Sequence, residues 1–160
     1  MKVLLGSLLL AGVCWLGDAV DIPVMPNFDI QRVAGNWYPL AYIVIENQFP
    51  QYTLQAEPKG GLMYTFKSLE NGQCKTRQLR FAKYQKPGKF KTSSPTFGQI
   101  IDTDYKTYII SYLTRGMDTF LKLAGRQQNI TPDLETKFKN VSASMGITGE
   151  VVPIVPKAAC

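Results

Sequence analysis

The sequence predicts an all-β domain, a sandwich or a barrel, with one helix near its C-terminal end. Three observations lead there. Eight short segments rich in β-branched and aromatic residues follow one another between Trp37 and Arg126, separated by turns of Gly, Pro, Asn and Asp. Beyond Thr131 the apolar residues switch to helical spacing. The chain has 160 residues, 45% of them apolar, which suits one hydrophobic core and leaves no room for two.

The elements follow in order. Residues 1–19 read as an export signal: Lys2, then an apolar run from Val3 to Leu16, then the small residues Gly17 and Ala19. The run is shorter than the ~18 to 20 apolar residues a membrane span needs. Cleavage after Gly17 or Ala19 is compatible with the pattern, and Ala19 is preferred, so the folded domain is expected over residues 20–160 of a secreted, extracellular protein. Pro23, Pro26 and Asn27 mark an extended arm. Strands are expected at 37–45, 51–57, 62–69, 74–84, 89–92, 98–103, 106–114 and 117–126. Asn71-Gly72 is a hairpin signal between the third and fourth strands, and Asp104-Tyr105 a turn between the sixth and seventh. Thr131 caps a helix whose first position is Pro132; Leu134, Phe138, Val141 and Met145 line one face and Gly146 ends it. A small last strand is expected at 150–155.

The composition excludes several chemistries. No histidine occurs anywhere, which removes Ser-His and Cys-His nucleophile pairs and His-ligated zinc. No phosphate-cradling glycine loop is present, so no nucleotide cofactor is expected. The net charge is +6, and residues 71–101 hold seven bases and no acid. No nucleic-acid reader motif accompanies that stretch, and it reads as a solvated basic flank. Cys14 leaves with the signal; Cys74 and Cys160 remain as an even pair in an oxidising compartment. A bridge between them would add about 4 to 5 kcal/mol by chain-entropy arithmetic. Asn129 and Asn140 head glycosylation sequons, the first weakened by Pro132.

The stretch from Asn27 through Gly35-Asn36-Trp37-Tyr38 resembles the first signature of the lipocalin family, with its Gly-x-Trp at the start of the first strand. Thr103-Asp104-Tyr105 resembles the second signature, and Arg126 the third. The late helix and a C-terminal cysteine also fit, so the resemblance covers nearly the whole of residues 20–160. It implies an eight-stranded antiparallel up-and-down barrel with the helix packed outside, and a calyx able to hold one small ligand. Gly35, Trp37, Thr103, Asp104, Tyr105 and Arg126 are then closure residues, with the arginine laid across the indole for roughly 0.5 to 2 kcal/mol.

Strand alternation nominates the lining. If Trp37 points inward, so do Pro39, Ala41, Ile43 and Ile45. Leu62, Tyr64 and Phe66 share a face, as do Arg77, Leu79 and Phe81. Phe90, Ile109, Leu113, Phe120, Lys122 and Ala124 complete the set. Burying ~300 Å² of ligand surface at ~25 cal/mol per Å² gives roughly 7 kcal/mol before binding costs. Arg77 or Lys122 is placed to meet a ligand carboxylate. The expected function is therefore carriage of a small hydrophobic molecule such as a fatty acid, a retinoid or an odorant. Sequestration of a ligand in defence or signalling is a second reading, and the sequence names no receptor. A third is enzymatic. One lipocalin subfamily isomerises a prostaglandin endoperoxide with a cavity cysteine in the second strand, and Asn71 to Arg77 resembles that subfamily. Residues 51–57 contain no cysteine, so no catalysis is expected. The segment Glu46 to Pro50 is shorter than the family's lid loop, which would expose the mouth.

Overall fold

Nine strands and one helix form in the computed structural model, which describes residues 22–43, 51–93, 96–115, 118–147 and 149–154. The strands are β1 (Gly35–Ile43), β2 (Tyr52–Ala56), β3 (Leu62–Glu70), β4 (Gln73–Lys83), β5 (Lys89–Lys91), β6 (Thr96–Thr103), β7 (Tyr108–Arg115), β8 (Asp118–Gly125) and β9 (Val151–Pro153); the helix is α1 (Pro132–Ser144). Each strand pairs antiparallel with its sequence neighbour from β1 to β8, and β8 returns to β1. This closed eight-stranded barrel is the predicted architecture. The export signal, Cys160 and the lid segment lie outside the described residues.

Turn chemistry sets the register. Asn71 and Gly72 have φ of 51° and 77°, the left-handed pair that joins two twisted strands in a two-residue turn. The β6–β7 connection is built on Asp104. Its carboxylate accepts the amides of Lys106 at 3.0 Å, Thr107 at 2.7 Å and Tyr108 at 3.1 Å, and the Thr107 hydroxyl. Lys106 and Thr107 therefore belong to the turn, and β7 begins two residues later than alternation predicts.

The edge of β1 away from β8 is shared. Its lower part pairs with β2 through Gly35, Asn36 and Trp37; its upper part pairs with β9 through Ala41, Tyr42 and Ile43. The helix lies against the outside of this wall. The Thr131 hydroxyl accepts the Leu134 amide at 3.2 Å, and Gly146, at φ 71°, ends the run. Phe138 is fully buried and joins Leu40, Ile110, Leu121 and Leu123 in an outer core. A second core fills the barrel around Trp37, Tyr52, Leu62, Phe90 and Ile109. Among the described residues no helix is long and apolar enough to cross a membrane.

One expectation is corrected. Simple alternation carries Trp37, Ala41 and Ile43 to one face, yet the β1–β8 register slips between Pro39 and Ala41. The extra residue inverts the phase. Ala41 and Ile43 pair with Leu123 and Leu121 and join the outer core, beneath the helix. Tyr42 pairs with Lys122 and takes the inward face in their place.

Candidate functional site

The closed end of the barrel is built on Trp37. Gly35 approaches it at φ 106°, a backbone conformation that favours glycine. The indole N–H donates to the Val33 carbonyl at 2.8 Å, and both residues are completely buried. Arg126, at the start of the segment after β8, covers the ring with its Cζ 3.7 Å from the centroid. Its guanidinium donates to the carbonyls of Asn36 at 3.0 Å, Ala34 at 2.9 Å and Tyr105 at 3.1 Å. Thr103 donates its hydroxyl to the Tyr108 carbonyl at 2.5 Å and accepts the Tyr105 amide at 2.9 Å. Phe28 stacks on Tyr105 and meets Phe90 edge-on, so the N-terminal arm closes the base. The six signature residues thus stand together at the floor, away from the open side.

Above the floor lies a small apolar cavity. Tyr52 and Leu54 of β2, Leu62 and Tyr64 of β3, Phe81 of β4, Phe90 of β5, Ile109 of β7 and Lys122 of β8 line it, with Ile100, Leu113, Gln99 and Ser111 completing the wall. The space between them is about 60 Å³. Aromatic rings fill the rest. Tyr52 and Tyr64 stack with centroids 4.6 Å apart, Phe66 tilts against Tyr64 at 5.5 Å and Phe81 meets Tyr64 edge-on at 6.2 Å. Such pairs add ~0.5 to 1.5 kcal/mol each beyond burial.

Among the described residues, one charged group enters this interior. Lys122 is 4% exposed, and its Nζ lies 4.4 Å from the Tyr52 ring centre and 5.4 Å from that of Tyr64. Burial pulls its amine down to about 8. Burial likewise pushes both tyrosine hydroxyls above their ordinary value, so they stay neutral. Gln99 donates its side-chain amide to the Pro23 carbonyl at 2.7 Å.

Apart from Ala41 and Ile43 beneath the helix, the expected lining residues divide into four groups. Tyr64, Phe81, Phe90, Ile109 and Lys122 border the space. Ala124 is fully buried and belongs to the same inner core as Trp37. Phe66 and Leu79 stand higher, Leu79 being 45% exposed; Phe120 pairs with Leu113 on the same wall. Arg77 lies farther out, exposed, and its guanidinium is held by Glu70 through Nε at 2.7 Å and through a second contact from Nη2. That pairing holds the Glu70 carboxyl down to about 2 and commits Arg77 away from the cavity. Alternation along β1 missed Tyr42. The strand pattern Tyr52-x-Leu54 was the available signal for the two β2 residues that sequence reasoning passed over. Asn129 and Asn140 are exposed; in their sequons Thr131 is the helix cap and the buried Ser142 hydroxyl donates to the Ile147 carbonyl at 3.0 Å.

A wider groove of about 380 Å³ lies outside the barrel, between the start of α1 and the β6–β7 turn. Lys106, Arg126, Asp133 and Lys137 edge it. The barrel interior, ringed by aromatic and aliphatic side chains with one cation, is the better match to a site for an apolar molecule.

Comparison with known proteins supplies the family. The profile of the Lipocalin / cytosolic fatty-acid binding protein family matches residues 34–159. A protein named lipocalin from Rhinella marina is 25% identical across 98% of this chain and 96% of its own length. Epididymal secretory protein 4 from Zootoca vivipara is 28% identical over 77% of this chain and 75% of its own. Prostaglandin-H2 D-isomerase from Ovis aries is 26% identical over 96% and 91% respectively.

Proposed function

Because this chain belongs to the lipocalin / cytosolic fatty-acid binding protein family, we propose that it is a secreted carrier of a small hydrophobic molecule. The ligand is held between the β2–β3 aromatic wall and Lys122. The observation that carries this reading is the apolar cavity at the barrel's centre, with a single buried cation in its wall. Its size narrows the ligand class. A compact, odorant-sized molecule needs the smallest adjustment, whereas a retinoid would have to displace most of the aromatic cluster. Tyr64 and Phe81 on the cavity wall are half-buried, as is Phe66 packed against Tyr64.

An isomerase role is disfavoured by the same wall. The cavity positions of β2 are Tyr52 and Leu54, and no described lining residue carries a thiol. A bridge from Cys74 to Cys160 fits the carrier's extracellular setting. The Ile154 amide donates to the Leu40 carbonyl at 2.8 Å, and Trp37, Tyr52, Phe66 and Arg77 lie on one rung of the sheet. Cys74 and Leu40 each stand three residues above that rung. The six residues after Ile154 span about 20 Å extended, against strand spacings of ~4.8 Å.

The test is a fluorescence titration of the secreted chain, in which Trp37 is the sole indole once residues 1–19 are removed. A panel of compact alcohols, acids and aldehydes is expected to quench or shift its emission with saturation. A panel that leaves both emission and melting temperature untouched overturns the carrier reading.

A further inference from the structure

We propose that Lys122 is a reversible covalent attachment point for aldehydes, its amine condensing with the carbonyl of a compact apolar aldehyde inside the barrel. The inference rests on the carrier reading and adds a bond to it. The amine nitrogen attacks the carbonyl carbon, both of its protons pass in turn to the former carbonyl oxygen, and water leaves as the C=N bond forms. No electrons are gained or lost overall, and no co-reactant is needed.

Three observations support the assignment. Among the described lysines Lys122 is the one that is buried. Its amine stands beside a pair of stacked tyrosine rings, on the wall of the apolar space. Finally, burial lowers its proton affinity, so a sizeable neutral fraction exists near neutral pH. Among the described residues, Tyr52 of β2, Tyr64 of β3, Tyr42 of β1 and Ser111 of β7 face it from the packed elements. An exposed lysine such as Lys83 or Lys137 keeps the charge and the water that oppose condensation.

The experiment treats the secreted chain with hexanal and cyanoborohydride, which freezes each imine as a stable alkylamine, and maps the modified lysines by peptide mass. Lys122 is expected to be alkylated roughly tenfold or more faster than Lys83 or Lys137, with a rate that climbs between pH 7 and pH 9. Hexanol, which has the chain without the carbonyl, is expected to bind and slow the labelling. Lys122→Met and Lys122→Arg are each expected to lose the fast label. Labelling spread evenly over exposed lysines, while hexanol still shifts Trp37 emission, overturns the covalent step and leaves the carrier standing. Failure of both hexanol and hexanal to bind overturns the two together.

Discussion

The Arg126 guanidinium carbon lies 3.7 Å from the centre of the Trp37 ring, and the same group donates to backbone carbonyls on both sides of the barrel floor. One side chain thus joins the entry to β1, the β6–β7 turn and the exit from β8. Losing it removes a cation–π contact and leaves several carbonyls without their donor. Arg126→Met is expected to cost about 2 to 4 kcal/mol, with a red shift of Trp37 emission. Urea denaturation followed by fluorescence measures both.

Gly35 is tied to that arrangement. A Cβ at this position would stand 2.8 Å from Arg126 Nη1, and the backbone φ is 106°. Gly35→Ala should destabilise by roughly 1 to 3 kcal/mol. If the strain acts through the guanidinium, combining it with Arg126→Met costs less than the two changes summed, which a double-mutant cycle reads.

Lys122 makes stability depend on pH in a defined direction. Its folded value of about 8 lies below the ordinary 10.5. The contribution is therefore full above the ordinary lysine value and is lost as pH falls through about 8. Lys122→Met should gain roughly 2 to 3 kcal/mol at pH 7 and much less at pH 10. Paired denaturation curves of the two proteins at each pH test this.

Asp104 works in the acid range. Burial pushes its carboxyl up, but hydrogen bonds from the Thr107 hydroxyl and the amides of Thr107, Tyr108 and Lys106 together hold it below the usual carboxylate range. A depressed carboxyl stabilises above its unfolded value and loses that contribution as pH falls through the folded one. Asp104→Ala should melt lower than the parent at pH 7, with the gap narrowing under strong acid.

The slipped register of β1 separates packing from binding. Ile43 is 1% exposed and belongs to the core beneath α1. Ile43→Ala is expected to cost about 2 to 5 kcal/mol while leaving hexanol affinity within twofold. Tyr64→Ala should instead enlarge the cavity and change affinity by more than its effect on stability would suggest. Calorimetric unfolding and Trp37 titration on the same samples distinguish the two.

The strands, the hairpin at Asn71-Gly72 and the helix cap at Thr131 were readable in the sequence because each depends on neighbours along the chain. Local rules of alternation, turn conformation and capping suffice for them. What escaped was long-range. Whether Ala41 faces inward depends on a bulge in the pairing of β1 with β8, some eighty residues away. Arg77 sits at the right phase for the cavity, yet Glu70 across the hairpin holds it outside. Burial of Lys122 was legible as a face and not as a depth. The volume left among the rings is a matter of side-chain packing, which strand periodicity does not encode.

Because the first strand is gripped by the eighth on one side and by the ninth on the other, its upper edge stays uncovered until residues as late as Pro153 have been synthesised. During translation the earlier hairpins wait as an open ribbon with a bare margin. The late strand acts as a latch, and a nascent chain stalled before it would present that margin to the chaperones and neighbours around it.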